Sequence, residues 1–406
     1  MSSIVFLGDW CSAPDYPFPT VSHSRLAEAM QRADVVVANL EAPVCSSQYS
    51  PIDKIGPHLA QDPNTPRALS ALGISHVSLA NNHIMDGGVA SFDASIDSLN
   101  NAGIVSFGYV DTTPQAAITG LRAAWKIARV RVGGKTVSLV GVAEREFNVI
   151  NGRFKQGTAN GNADGRHVGA CILDPIDLQQ TIEEEKKRSR HVFLVVHGGV
   201  EYEFLPPPHL LKLCRWLIDA GASGVVTHHP HVPGFIEAYR DRPIAYLLGD
   251  FWMSGQSRQR TPWRNHGYAL QLKLDDSTGA IDFEQIHYKI DYDRGVICLP
   301  RSSDRTEYRG LSAVNLETAT NSGEYANWWK GVVGRKTDDY LRKYSAAYIP
   351  RRLWRSRVMR PLLRRRLEHV SSWAGIQLNG LQCASHSEIW KSVLDQAFDN
   401  SSDNSD

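Results

Sequence analysis

Long apolar runs are missing from this 406-residue chain, and none approaches the length of a membrane-spanning helix. Met1-Ser2-Ser3 leads into only four apolar residues, Ile4 to Leu7, too few for the apolar region of a signal peptide. A cytoplasmic protein is therefore expected. Cysteine is sparse: Cys11, Cys45, Cys171, Cys214, Cys298 and Cys383 are scattered without a CxxC pair. That argues for reduced thiols over a disulfide frame, and against a structural zinc knot. Neither sign of charge dominates, with 44 Lys and Arg against 43 Asp and Glu, so no nucleic-acid partner is expected. There is no P-loop, no GxGxxG after a strand, no GxSxG and no internal repeat. What remains is ordinary globular composition, 42% apolar and 21% charged, in a chain long enough for a large catalytic domain plus an appendage.

Against that background the stretch Thr227-His228-His229-Pro230-His231 stands out. It follows the short apolar run Gly224-Val225-Val226, which places the histidines past the carboxyl end of a strand, where open α/β sheets hold ligands. In an extended chain His229 and His231 would project to the same side. Two neutral imidazoles converging from one side suit a metal.

Other strands end the same way. Ile4 to Leu7 runs into Gly8-Asp9, and Asp34 to Ala38 into Asn39-Leu40-Glu41-Ala42-Pro43. Ser75 to Ala80 delivers Asn81-Asn82-His83-Ile84-Met85-Asp86, an amide, an imidazole and a carboxylate within six residues. His191 to Val196 ends in His197-Gly198-Gly199-Val200-Glu201-Tyr202, and Arg242 to Leu248 in Gly249-Asp250. Helices are expected over 24–32, 66–72, 90–102, 174–189 and 209–219, a hairpin at Gly133-Gly134, and paired edge strands over 266–274 and 281–290. Lys54 and His58 lie in a loop as substrate contacts or as bystanders. Trp252, Trp263 and the long loop 143–170 fall where they could line a pocket.

Beyond about residue 295 the pattern changes. Tyr348 to Val370 carries eight arginines interleaved with Leu353, Trp354, Leu362, Leu363 and Leu367. Such a segment can lie on an anionic membrane surface, or be a helical cap with solvated arginines. The division expected is a domain over 1–293, a basic, mainly helical extension over 294–398 and a disordered polar tail over 399–406.

Asp9, Glu41, Asn82, His83, His197, His229 and His231 all follow strands of one presumed sheet, so all can meet at one edge. Their mixed oxygen and nitrogen donors suit Mn, Fe or Zn, and they are numerous enough for one or two ions. A two-metal site needs a bridging carboxylate, for which Glu41 is the candidate. His83 would then act as an acid or stabilise charge.

These motifs resemble the CapA-type capsule and poly-γ-glutamate biosynthesis proteins, a branch of the calcineurin-like metallophosphatase fold. Six motifs carry the resemblance in order over about 1–255: Gly8-Asp9, Asn39 to Pro43, Ala80 to Asp86, His197 to Tyr202, His228 to His231 and Tyr246 to Phe251. The resemblance implies a four-layer α/β/β/α sandwich with metals at the strand ends. Asp9 and His231 would hold one metal, Asn82, His197 and His229 the other, with Glu41 at the bridging position. His83 stands at the catalytic position with Asp86 beside it. Asn39, Glu201, Tyr202, His228 and Asp250 would support the ligands or meet substrate.

The chain also departs from that pattern. Phosphatases of this fold read Asp-x-His where this chain has Asp9-Trp10-Cys11, and family members commonly carry Trp at the position of Gly198 and Asn at that of Asp250. Cys11 could replace the missing imidazole or be a bystander. Two classes of function follow. One is a metal-dependent hydrolase, of a phosphoester or of an amide bond in a γ-glutamyl polymer. The other is a non-catalytic protein that binds the polymer or assists a synthase. The partners implied are an anionic polymer or phosphoester and a membrane-associated biosynthetic complex, with the protein peripheral at the inner membrane face.

Overall fold

The computed structural model describes residues 2–47, 49–52, 54, 57–112, 124–144, 167–254, 263–301 and 323–345, with a few positions between 383 and 392. The chain divides into two compact units, one of residues 1–53, 58–144 and 148–314, the other of 54–57, 145–147 and 315–406.

Among the described residues of the larger unit, strands form two facing sheets and a small third one. The nine-stranded sheet runs β2 (Thr20–Val21), β18 (Val296–Cys298), β17 (Ile281–Asp291), β16 (His266–Leu274), β1 (Ser2–Cys11), β3 (Val35–Leu40), β4 (His76–Ser78), β5 (Val105–Phe107), with β15 (Asp250–Met253) also paired to β1. The six-stranded sheet runs β13 (Ile236–Tyr239), β14 (Arg242–Ala245), β12 (Gly224–His228), β11 (His191–His197), β9 (Lys135–Ala143), β8 (Ala128–Val132). Strands β10 (His167–Ala170), β6 (Tyr109–Thr112) and β7 (Trp125–Lys126) make the third.

Side-chain alternation along β1 decides the layering. Ile4 and Phe6 point between the sheets, against Leu139, Phe193, Val195 and Val226 of the six-stranded one. Val5 and Leu7 point the other way, onto α1 (Ser24–Arg32), α2 (Thr65–Ala71) and α3 (Gly88–Asn101) through Leu26, Met30, Leu69, Phe92 and Leu99. The outer face of the six-stranded sheet carries α4 (Pro175–Glu185) and α5 (Pro208–Asp219). Glu185 of α4 is buried and accepts hydrogen bonds from Ser138 of β9 and Arg129 of β8. Helix α5 turns Leu210, Cys214 and Leu217 inward. The result is a four-layer α/β/β/α sandwich, the layering that the resemblance implies.

Two expectations are corrected. The site strands do not share one sheet: β1, β3 and β4 belong to the nine-stranded sheet and β11 and β12 to the six-stranded one. Strands β16 and β17 pair as expected but are not edges, because β16 lies between β17 and β1 and pairs Ser2↔Leu274 through Phe6↔Leu270. The nine-stranded sheet also takes in Val296–Cys298. The hairpin at Gly133-Gly134 forms, with Val132 opposite Lys135.

In the smaller unit, α6 (Glu324–Ser345) buries Val332 and Val333. The Tyr348–Val370 segment, the tail from 399 and most of the loop 143–170 lie outside the described residues.

Candidate metal centre

Strand β1 breaks its register at the point where function begins. Its pairing with β3 shifts between Phe6 and Asp9, and its pairing with β15 between Asp9 and Trp10. Such a bulge re-aims a side chain. It is possible because residue 8 is glycine: a Cβ there would sit 2.0 Å from the Gly249 carbonyl oxygen. The Asp9 amide donates to that same oxygen at 3.0 Å, and the carboxylate turns into the gap between the sheets' ends.

Glu41 follows β3, its amide bonded to the Trp10 carbonyl. Asn81 ties the next strand end in place. Its Nδ2 donates to Leu40 O at 2.8 Å and Asn39 Oδ1 at 3.3 Å, and its Oδ1 accepts the His83 amide at 3.1 Å. His197 closes β11 and His228 closes β12. His229 and His231 are not extended, as the sequence suggests; their φ angles are 101° and 58°. Left-handed backbone, not strand alternation, turns both rings inward, and Tyr202 opposite is left-handed too, at φ 66°.

The donors converge from both sheets. His197 Nε2 stands 3.0 Å from Asn82 Oδ1, 3.2 Å from His229 Nδ1 and 3.8 Å from Glu41 Oε1. His231 Nε2 stands 3.6 Å from Glu41 Oε1, and its Nδ1 3.7 Å from Asp9 Oδ2. Two sets of possible ligands result, Glu41–His197–His229 and Asp9–Glu41–His231, each with its ligand atoms within 4.8 Å of one another. Glu41 is common to both.

Around the ligands stand groups that fix them. His231 Nδ1 donates to Asp250 Oδ1 at 2.8 Å, which turns Nε2 toward Glu41. Asn39 Nδ2 donates to Asp9 Oδ1 at 2.7 Å and lies 3.3 Å from His197 Nδ1. The His229 amide donates to Asp9 Oδ2, and His228 Nδ1 is 3.2 Å from Asp9 Oδ1 without hydrogen-bond alignment. His83 Nδ1 donates to Asp86 Oδ2 at 2.7 Å, and the Leu59 amide holds that same oxygen.

The electrostatics favour a cation. Burial raises the Glu41 carboxyl well above the usual range, and neighbouring Asp9, Asp250 and Glu201 push it further against the pull of His231. Burial also opposes ionisation of Asp9, but His228, His231 and His197 outweigh it and hold that carboxyl well below its ordinary value. Burial and the adjacent His229 push His197 far down, so its ring is neutral and one nitrogen keeps its lone pair available. Burial opposes protonation of His231, but Glu41 and Asp250 more than reverse this and raise it to about 10. Glu41 buries both oxygens without a hydrogen-bond donor among the described residues. An uncompensated buried carboxylate costs several kcal/mol. A divalent ion on each side of it removes that cost, so the residues present fit one or two such ions.

Some sequence candidates fall elsewhere. Glu201 is exposed, and Tyr202 is half-buried with its ring 6.2 Å from that of His231. Cys11 packs with Ala42, Leu59 and Met253, its thiol pushed up by burial and by the Glu41 charge, and it belongs to neither ligand set. His58 bonds the Ile52 carbonyl. Trp252 is 1% exposed and packs on Tyr292, as core. Trp263 packs on His266, at 6.0 Å between ring centroids. Sequence reasoning overlooked three residues. Asn81 was signalled by the Asn-Asn pair. Arg264, beside Asp250 and Tyr202, had no pattern to mark it. Glu144 explains Gly198: its Cγ lies 2.6 Å from where a Cβ would stand, and its carboxylate accepts from His209 at 2.5 Å. A tryptophan there would require Glu144 to move aside.

The family comparison is decided by the same stretch of chain. The profile of the bacterial capsule synthesis protein PGA_cap matches residues 9–255, from the first proposed ligand to just beyond Asp250. The chain belongs to this family. It is 32% identical over 222 residues to the PGA biosynthesis protein CapA of Bacillus subtilis, covering 54% of this chain and 53% of that protein. It is 28% identical over 244 residues to the capsule biosynthesis protein CapA of Bacillus anthracis, covering 58% and 53%. The PGA_cap member described here thus spans about half the length of these curated relatives. Among solved structures it is similar to a putative 5'-nucleotidase from Staphylococcus aureus, at 15% identity and TM-score 0.42 over 76% of this chain and 58% of that one. A hypothetical protein from Thermus thermophilus aligns at 20% identity and TM-score 0.41, over 71% and 100%.

Proposed function

We propose that this PGA_cap member is a metal-dependent hydrolase, acting on a phosphoester in the synthesis of capsule, poly-γ-glutamate or a related anionic surface polymer. The observation that carries this reading is the sharing of Glu41 by two ligand sets. Ions held by Asp9, Glu41, His231, His197, His229 and Asn82 would supply an acidified water and polarise a phosphoryl oxygen.

The chain's own groups divide the remaining work. Asp86 accepts from His83 Nδ1, so Nε2 is the nitrogen that would meet the leaving oxygen, and it would pass a proton to it from the doubly protonated imidazolium form. Asp250 and Asn39 hold the ligands in orientation before substrate arrives. The arginine-rich segment Tyr348–Val370 supports a further part of the reading, docking at an anionic membrane face beside a biosynthetic complex.

The test is metal content of the purified protein by elemental mass spectrometry, paired with p-nitrophenyl phosphate and bis-ester assays in Mn. About two ions per chain with turnover is the expected result. Absence of turnover with every divalent ion tried would overturn the hydrolase reading in favour of a polymer-binding or synthase-assisting protein.

A further inference from the structure

Gly87 and Gly88 lead into α3, and the room they leave is taken by the loop 44–61. Its stretches 44–47, 49–52 and 58–61 are described and belong to the larger unit. The ends of the loop are joined: the Cys45 amide donates to the Gln61 carbonyl and the Gln61 amide to the Pro43 carbonyl, each at 2.8 Å. The Gln61 side chain fastens that joint to β1, donating to Trp10 O and accepting from the Ser12 amide. Between its ends the loop lies along the turn that follows His83. The Ser50 amide donates to Gly87 O at 3.2 Å and the Ile52 amide to Asp86 O at 3.1 Å. The Tyr49 ring covers Gly87, where a Cβ would stand 2.5 Å from Tyr49 Cδ2. Glycine is what lets the two segments approach so closely.

Leu59 carries the contact from this loop to the chemistry. Its amide donates to Asp86 Oδ2 at 2.8 Å, the oxygen that also accepts from His83 Nδ1 at 2.7 Å. Its carbonyl accepts from the Tyr49 hydroxyl at 3.1 Å. Its side chain packs with Cys11, Ala42 and Met253. Burial first, and then the charge of Asp86, holds the Tyr49 hydroxyl well above its ordinary value, so it stays a donor.

We propose that Tyr49 is a positioning residue for His83, acting through Leu59 and the Asp86 carboxylate. By fixing Leu59, the hydroxyl keeps the amide on Asp86 Oδ2, and Asp86 keeps the imidazole at one angle. A misplacement of about 1 Å at a reacting group can cost about 10²-fold in rate. The proposal rests on the hydrolase reading for what His83 does, but not for how His83 is held.

The test is Tyr49→Phe in the full chain, which removes the hydroxyl and keeps the ring on Gly87. With Mn loaded and p-nitrophenyl phosphate as substrate, metal content and KM should match the wild type while kcat falls about tenfold. In a His83→Ala background the same change should lower the residual kcat no further. A loss of the same size that persists there overturns the assignment, because it does not pass through His83. A second arm needs no turnover. With ring-nitrogen-labelled histidine, the His83 Nδ1–H resonance is identified by its loss in His83→Ala, and Tyr49→Phe should shift it and speed its exchange with water. An unchanged resonance overturns the assignment whatever the rates. If Tyr49→Phe loses metal or fold, Gly87→Ala decides: its Cβ displaces the Tyr49 ring and the Ser91 hydroxyl with the Tyr49 hydroxyl retained, and a wild-type His83 resonance there overturns the assignment. A wild type that hydrolyses no ester, with the resonance shifted in Tyr49→Phe, rejects the hydrolase reading alone.

Discussion

Glu41 is the residue on which the centre turns. Because one carboxylate serves both ligand sets, Glu41→Gln should strip both ions, whereas His229→Ala should strip one. Elemental analysis of the two variants checks this; loss of a single ion from each would show that Glu41 serves one set only. His83 belongs to neither set, so His83→Ala should keep the metal while turnover falls about 10²–10⁴-fold. Turnover at the wild-type level would remove His83 from the chemistry. Most of these residues were legible in the sequence, because a carboxylate, amide or imidazole at the end of an apolar run is visible without coordinates. The inward turn of His229 and His231 was not. Left-handed φ at a non-glycine residue is imposed by tertiary packing and leaves no mark on local pattern. Arg264 was illegible for a related reason: a lone arginine in a connecting segment looks like any solvated one until its burial is known.

At the scale of elements, the closeness of β1 to β15 sets a hard limit. Gly8→Ala would drive a Cβ into the Gly249 carbonyl and should cost about 3 kcal/mol, with Asp9 displaced as well. Chemical denaturation together with metal content reads both effects. Two strand histidines outside the centre set a pH limit. Burial pushes His76 of β4 down to about 4, and burial with Arg242 and Arg190 does the same to His191 of β11. An unfolded histidine titrates near about 6.5. Between those values the unfolded chain binds more protons at these two positions, so their contribution to stability should fall as pH drops from about 6.5 toward about 4, with no slope from them above that range. Urea midpoints at pH 7 and pH 5 measure the slope, and His76→Leu should flatten part of it. An identical slope in the variant would locate the dependence elsewhere. Strand and helix positions followed closely from periodicity, with α1 found over Ser24–Arg32 as read. The status of β16 did not. Its period-2 pattern is what a half-exposed edge strand shows, and partnership with a strand more than 260 residues earlier cannot be seen locally.

At the scale of the molecule, four layers and the gathering of carboxylates and imidazoles at strand ends were foreseeable from the ordered motifs. The division into two sheets was not, since every buried parallel strand has the same apolar signature. The proposed membrane docking is also a whole-molecule property. The full chain should pellet with vesicles containing phosphatidylserine but not with phosphatidylcholine alone, and should be released at about 0.5 M salt, where charges are screened within about 4 Å. Reversing Arg364, Arg365 and Arg366 to glutamate should abolish pelleting. Binding that ignores both salt and the charge reversal would reject the idea.

The pairing of Ser2–Phe6 with Leu270–Leu274 has a consequence for biogenesis. One flank of β1 is covered early by β3, but the other stays open until residue 274 has left the ribosome. At elongation rates of about 5–20 residues per second that is on the order of 15–50 s after β1 itself is made. Throughout that interval a nascent polypeptide with an uncovered strand, apolar from Ile4 to Leu7, is exposed to every other chain being translated nearby. Yield in cells should therefore track chaperone supply and translation speed more steeply than it tracks the stability of the finished protein.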